Sequence, residues 1–272
     1  VSAAVDGAVH EKEAASGGVR LFTLHGNYAE VPARLMELGA SQGLDLRAHA
    51  VLADLGFSSN QVEDGARGFS FQRDGPLDMR LDTSRGVTAA ELVAGSSERE
   101  LERILREYGE EPGAGRIARK IVREREVGPI LTTARLAAVV RSAIAARPDR
   151  RGIDPATRTF QALRIAVNDE LGGLDALLSA IDRGARRARE DGGGLAGADA
   201  EGWLRVGARV GLIAFHSLED RPIKRAFSDL QRAGVALPLT DGVVTPTEEE
   251  VGVNPRARSA RLRAVRVVGR GG

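Results

Sequence analysis

Asp54 and Phe57 are the residues whose types and spacing best suit chemistry, and they follow an apolar run in the stretch AVLADLGF. The exocyclic amine of cytosine or adenine has its lone pair delocalised into the ring. A carboxylate that accepts hydrogen bonds from this amine localises the lone pair, and an aromatic side chain can stack on the extruded base. The same short pattern also describes a turn aspartate followed by a core phenylalanine. The pair alone therefore leaves amine methylation and a structural turn both open.

Three further polar residues are candidates for binding a nucleoside cofactor. Asp6 follows a short apolar run and could accept hydrogen bonds from ribose hydroxyls, as acids do in Rossmann-like folds. Tyr28 could flank an adenine ring, and Gln61 could reach a ligand from the loop after Asp54. Each also has a structural interpretation: a turn aspartate, a partly buried tyrosine and a solvated glutamine.

Arginine dominates the basic residues, since only three of the 39 are lysines. Genomic base composition can produce such a bias, so we consider local clusters separately. Arg158 and Arg164 lie in PATRTFQALR, and Arg256 and Arg258 lie in NPRARSARLR. The planar guanidinium group suits phosphate, and contacts to the nucleic-acid backbone fix register without reading sequence. A solvated protein face is the alternative interpretation of both clusters.

Composition excludes several other classes of site. The chain has no cysteine, so disulfides and thiolate metal sites are absent, and its four histidines are not spaced as zinc ligands. The segment HSLED is too compressed for a Ser/His/acid triad, and no Gly-x-Ser-x-Gly elbow is present. No apolar run approaches the roughly 20 residues that span a bilayer. We therefore expect a cytoplasmic protein with no resident metal and no membrane partner.

The order of elements predicts a parallel α/β sheet. Strands are expected at 1–5, 21–24 and 49–53, with a helix at 31–38 between the last two. Ligands bind at the carboxyl ends of strands in such sheets, so Asp6, Tyr28 and Asp54 are expected to face one crevice. The glycine-rich stretch 54–82 then reads as a long shaped loop, the kind of segment that usually carries function.

The pattern becomes helical after residue 88. Thr88-x-x-Glu91 and Ser97-x-x-Glu100 read as capping boxes, and helices are predicted at 116–125 and 133–146. Apolar spacing from 160 to 181 predicts one long helix or two helices broken at Gly172-Gly173. Strands are predicted at 210–215 and 261–268, and the acidic stretch 245–253 is expected to be mobile.

Five blocks in order closely resemble the ribosomal RNA small-subunit methyltransferase H family, also called MraW. They are DLGFSSNQVEDGARGFSFQRDGPLDMRLD, YGEEPGAGRIARKIV, PATRTFQALRIAVNDEL, FHSLEDRPIKRAF and NPRARSARLR. The resemblance implies a Rossmann-like class I methyltransferase sheet with an inserted all-helical domain. The expected boundaries are 1–62 and 165–272 for the methyltransferase domain and 63–164 for a helical, substrate-recognising insert.

The resemblance also implies an activity and its residues. It implies S-adenosylmethionine-dependent methylation of the exocyclic N4 of a cytidine in the decoding region of 16S ribosomal RNA, with the small ribosomal subunit as partner. It places Asp6, Tyr28, Asp54 and Gln61 at the cofactor, with Asp54 and Phe57 as the catalytic pair. We expect a monomer or a homodimer.

Two departures from the family bear on these expectations. In the family, a first strand and a Gly-Gly-His-Ser loop, which holds the methionine end of the cofactor, precede the region that this sequence covers. We expect the sequence to be an N-terminally incomplete part of a normal enzyme. Asp154 stands where the family usually has histidine. The alternatives are a non-catalytic RNA- or ribosome-binding relative that has lost the cofactor loop, and an enzyme acting on a DNA or protein amine.

Overall fold

A computed structural model describes residues 9–13, 20–56, 64–144, 154–190 and 202–270. The chain forms two compact units. The first, here called the sheet unit, combines Val1–Leu55 with Gly172–Gly272, and the second, the helical unit, is Gly56–Leu171. Because the helical unit lies between the two parts of the sheet unit in sequence, it is an insertion. The architecture is thus mixed α/β with a helical insert, as the sequence predicts.

The sheet unit is built on four strands in the order β3-β4-β6-β5. Their bounds are β3 Ala48–Asp54, β4 Leu204–Ala214, β5 Ala236–Pro238 and β6 Arg261–Val267. β3 and β4 are parallel, whereas β6 is antiparallel to both of its neighbours. The predicted strands at 49–53, 210–215 and 261–268 are therefore confirmed. The predicted parallel arrangement holds only for β3 and β4.

The two strands that come first in the described chain form a separate sheet. β1 Val9–Glu13 pairs with β2 Arg20–Leu24 in an antiparallel register that runs from Val9 opposite Leu24 to Glu13 opposite Arg20. The prediction that β2 lies in one parallel sheet with β3 was wrong. Strands of parallel sheets are buried on both faces, whereas four of the five β2 residues are exposed. The strand predicted at 1–5 lies outside the described residues.

Helices cover the sheet unit around a core centred on Trp203. They are α1 Val31–Gln42, α7 Glu170–Glu190, whose first two residues belong to the helical unit, α8 Ser217–Arg232 and α9 Glu248–Val253. Trp203 is 1% exposed and donates its indole N–H to the Ala180 carbonyl at 3.1 Å. Gly184 makes room for it, since a β-carbon there would lie 2.5 Å from the indole nitrogen.

The helical unit has its own apolar core, which includes Leu101, Ile117, Leu136 and Leu163. Its remaining helices are α2 Ala89–Gly95, α3 Glu98–Gly109, α4 Ala114–Val127, α5 Thr133–Ala143 and α6 Ala156–Asn168. The predicted capping box at the start of α2 is confirmed: Thr88 accepts from Glu91 N–H, and the Glu91 carboxylate accepts from Thr88 N–H at 2.7 Å. Ser97 caps α3 through Glu100 N–H.

Two expectations about helices need correction. The break between α6 and α7 falls at Asp169, which has a φ of 46°, and Gly172-Gly173 lies inside α7. A break at these glycines was one of the two alternatives, but the left-handed residue is an aspartate, which tolerates this conformation better than most side chains. The acidic stretch expected to be mobile contains α9, because Thr247 caps its first turn by accepting from Glu250 N–H.

Candidate active site

Asp54 is the last residue of β3 and presents its side chain at the carboxyl end of the sheet. Leu55 continues the pairing of β3 with β4 by one residue, since its N–H donates to the Ile213 carbonyl at 3.0 Å. Its side chain is buried. Gly56 follows with a φ of 107°, a conformation that suits glycine. Asp54 itself is exposed and makes no hydrogen bond or ion pair within the described residues. Its carboxylate is therefore available to a ligand.

Tyr28 borders the same apolar core that contains Leu55. It opens a short 3-10 helix, Tyr28–Glu30, whose first turn is capped by the Asn27 side chain accepting from Ala29 N–H at 2.9 Å. Its ring lies against Gly173 of α7: a β-carbon at Gly173 would be 2.9 Å from the phenolic oxygen and 3.2 Å from Cζ. The position of the ring therefore depends on Gly173. From the sequence, this glycine is only a possible break in a helix.

We predict that Gly173→Ala displaces Tyr28 and weakens binding of an adenosine-containing cofactor. The added methyl group cannot share the space with the tyrosine ring, and alanine otherwise favours a helix by about 1 kcal/mol over glycine. Isothermal titration of the full-length protein with S-adenosylhomocysteine measures the effect. Gly252→Ala in α9 is the matched control, because a β-carbon there meets nothing within 4 Å. Equal cofactor affinity in the two variants would separate Tyr28 from the cofactor site.

The other predicted site residues of this region, Asp6, Phe57 and Gln61, lie outside the described residues. Of the predicted cofactor set, the structure thus describes Tyr28, which borders the core of the sheet unit, and Asp54, which is exposed at the end of β3. The roles of the remaining three stay predictions.

The carboxyl end of β4 carries an acidic cluster that sequence reasoning missed. Glu219 and Asp220 are 3% and 6% exposed, although they lie in the first turn of α8. The Glu219 carboxylate accepts from Phe215 N–H at 2.9 Å and lies 3.2 Å from Nε2 of His216. From the sequence, the segment HSLED is considered only as a possible Ser/His/acid triad, for which it is too compressed. The signal that could have found the cluster is a pair of acids placed directly after a buried strand.

Arg263 of β6 holds Asp220 in place. Its Nε and Nη2 donate to the two carboxylate oxygens at 2.7 and 3.1 Å, and Arg261 approaches one of them at 3.4 Å. The hydrogen bond from Arg263 lowers the pKa of Asp220 although burial opposes the shift. Asp220 is therefore ionised at neutral pH, and the pair ties the start of α8 to the neighbouring strand.

The four predicted RNA-binding arginines have different surroundings. Arg258 is exposed in the 3-10 helix Pro255–Ser259 and has no hydrogen bond or ion pair within the described part of the chain; Arg256 is exposed in the same helix. Arg158 is half-buried in α6. Arg164 is mostly buried and donates to both carboxylate oxygens of Glu170 at 2.8 and 2.9 Å, so its guanidinium already has a protein partner.

Asp154, where the family resemblance leads to the expectation of a histidine, has a structural role. Its carboxylate accepts from Ala156 N–H at 2.8 Å at the start of α6 and pairs with Arg141 of α5 at 2.8 Å. The Arg141 hydrogen bond lowers the pKa of Asp154, so the carboxylate stays charged and joins the two helices.

The model of the MraW methylase family matches residues 8–189 and 198–268, which is most of the chain. The chain belongs to the MraW methylase family. A Pelobacter propionicus protein named ribosomal RNA small subunit methyltransferase H is 46% identical over 259 residues, which cover 89% of this chain and 74% of the relative. Proteins of the same name from Sorangium cellulosum and Thermobifida fusca are 46% and 42% identical; the matches cover 96% and 90% of this chain and 74% and 71% of those proteins.

Membership of the MraW methylase family fits the order of the sheet, in which β3 and β4 lie side by side and their carboxyl ends form one edge. That edge is where ligands bind in open α/β sheets. None of the helices in the described ranges is long and apolar enough to cross a membrane.

Proposed function

We propose that this member of the MraW methylase family transfers a methyl group from S-adenosylmethionine to the exocyclic N4 of a cytidine in the decoding region of 16S ribosomal RNA. The family match and the names of the relatives support ribosomal RNA of the small subunit as the substrate class. The single observation that carries the chemistry is the exposed, unpaired Asp54 carboxylate at the carboxyl end of β3.

The described residues fit part of an adenosine-containing methyl donor. Tyr28 supplies a ring beside the core, and Asp54 supplies an acceptor at the strand end. The family resemblance adds Asp6 and Gln61 to this set. Bound S-adenosylmethionine would supply an electrophilic methyl group, and the protein's own contribution is to bind and aim the amine.

Asp54 performs the aiming in this proposal. Its carboxylate accepts hydrogen bonds from the amine N–H groups, which draws the lone pair out of the pyrimidine ring and orients it toward the methyl group. Since the reaction is an in-line displacement, holding the two reacting atoms in line contributes more than acid–base strength does. Phe57 stacks on the extruded base, as the Asp-x-x-Phe spacing predicts.

Exposed arginines supply contacts to the RNA backbone. Arg258 has a free guanidinium within the described residues, and Arg256 and Arg158 present theirs at or near the surface. Each cation that neutralises a phosphate releases counterions, so binding of this kind weakens as salt concentration rises. Arg164 is better placed to hold Glu170 than to reach a phosphate, because its side chain is only 12% exposed.

Arg258→Ala is expected to weaken RNA binding at low salt and to reduce the slope of log affinity against log salt by about 0.7 to 0.9. Fluorescence anisotropy with a labelled 16S fragment over a range of potassium chloride concentrations gives both values. Arg232→Ala is the control, because that side chain is 78% exposed but pairs with Asp229. A salt slope that is the same in the Arg258 variant and the wild type would assign Arg258 to another role.

Methyl transfer from radiolabelled S-adenosylmethionine to small ribosomal subunits, free 16S ribosomal RNA and DNA tests the function. We expect label in ribosomal RNA and none in DNA or in ribosomal protein. Absence of label from ribosomal RNA with the full-length protein would overturn the proposal. Tight RNA binding without transfer would instead support a non-catalytic RNA-binding relative.

A further inference from the structure

His216 follows the carboxyl end of β4, the strand paired with the one that Asp54 ends. In the parallel register of β3 and β4, Asp54 pairs with Ile213, and β4 ends one residue later at Ala214. Phe215 and His216 then complete the turn into α8. Because paired strands are about 4.8 Å apart, the residues that leave β4 and the residue that ends β3 lie at one edge of the sheet.

The ring of His216 has an unusual environment. Its side chain is 14% exposed, and both ring nitrogens are buried without a hydrogen bond in the described residues. A buried polar group without a hydrogen bond costs about 1–3 kcal/mol, and such groups are uncommon in native proteins. Nδ1 in particular has no hydrogen-bond partner among the described residues.

Glu219 gives the ring a preferred direction. Its carboxylate, 4% exposed on the side chain, lies 3.2 Å from Nε2 and is fixed by the Phe215 N–H group. A carboxylate facing Nε2 favours a proton on that nitrogen, which leaves Nδ1 as the acceptor of a neutral imidazole.

The backbone at His216 is held firmly. The His216 carbonyl accepts from the N–H groups of Glu219 and Asp220 at 3.2 and 3.1 Å. Asp220 is in turn held by Arg263 at 2.7 Å. The torsion between Cβ and the ring is broad in energy, so the fixed backbone still leaves the ring this one degree of freedom.

We propose that His216 is a further catalytic residue, which accepts the proton that the exocyclic amine loses on methylation. The inference rests on the proposed function. The amine nitrogen forms a bond to the methyl carbon, the bond between that carbon and the donor sulfur breaks, and one N–H proton moves to Nδ1. Imidazole is a stronger base than a carboxylate. We therefore assign the orientation of the amine to Asp54 and the acceptance of its proton to His216.

Single-turnover methyl transfer with excess full-length enzyme tests this division. His216→Ala and His216→Gln are expected to lower the rate about 100-fold at saturating RNA and cofactor, with both dissociation constants unchanged. Added imidazole should restore part of the rate of His216→Ala. The control is His49→Ala, since His49 is exposed on β3.

Binding supplies a readout that does not depend on turnover. The chain has only four histidines, so His216→Ala identifies the ring signals of His216 in a 15N-histidine NMR spectrum. Adding a cytidine-containing 16S oligonucleotide should shift the His216 signals and leave those of His49 in place.

The outcomes separate this inference from the function on which it rests. Absence of transfer to ribosomal RNA by the wild type would overturn the proposed function. Wild-type activity together with an unchanged rate in both His216 variants would overturn the His216 proposal alone. So would a loss of rate that follows weaker binding, resists imidazole and leaves the NMR signals unmoved, because His216 would then be structural.

Discussion

Asp54→Ala lowers the rate of methyl transfer about 1000-fold and leaves the free energy of unfolding within about 0.5 kcal/mol of the wild type. The carboxylate is the group that is to hold the amine, and its removal leaves the lone pair delocalised in the ring. Stability hardly changes, because the side chain is exposed and has no hydrogen-bond partner within the described residues. Single-turnover transfer and urea unfolding measure the two quantities.

Two further variants serve as comparisons for Asp54→Ala. Asp54→Asn keeps an acceptor oxygen and is expected to retain more activity than the alanine variant. Asp241→Ala removes another exposed aspartate of the sheet unit and should transfer methyl at the wild-type rate. An Asp54→Ala enzyme as fast as the Asp241 control would remove Asp54 from the catalytic role.

The second large effect concerns Gly75, which lies against the backbone of Gly65 within the loop 54–82. A β-carbon at Gly75 would lie 2.0 Å from the Gly65 carbonyl oxygen, a distance that only a backbone shift can relieve. That shift would break the hydrogen bonds from Gly75 N–H to Thr133 Oγ1 at 3.2 Å and from Thr133 N–H to the Gly75 carbonyl at 3.0 Å. We expect Gly75→Ala to lower the free energy of unfolding by about 3 kcal/mol.

Urea unfolding followed by circular dichroism checks this value. Gly95→Ala at the end of α2 is the control, since a β-carbon there meets nothing within 4 Å and should be tolerated. A Gly75→Ala protein as stable as the Gly95 control would mean that the loop can move away from the carbonyl of Gly65. The contact would then not fix the shape of the loop.

Local patterns predicted the elements that local interactions determine. The apolar run before Asp54 identified β3, and the Thr88–Glu91 spacing identified the start of α2, because each signal is complete within a few residues. The capping pattern that starts α9 was also present, since Thr247 and Glu250 have the same spacing. Its acidic residues were taken as a sign of mobility, although acids in a first turn favour a helix.

The remaining features depend on contacts between distant parts of the chain. The pairing of β1 with β2 and the antiparallel orientation of β6 depend on which strands pair, and no local sequence pattern predicts that. The sequence places Glu219 three residues after His216 but cannot show that its carboxylate is buried beside the ring. Asp54, by contrast, could be predicted as a site residue, because its strand-end position and its family block are both contiguous in sequence.

The most direct test of the central claim is a structure of the full-length protein with a cofactor analogue and a cytidine-containing oligonucleotide. The quantity to measure is the distance between the Asp54 carboxylate and the exocyclic nitrogen of the target base. We expect a hydrogen bond of about 2.7–3.2 Å at the carboxyl end of β3. A target amine bound elsewhere, with Asp54 still facing solvent, would contradict it.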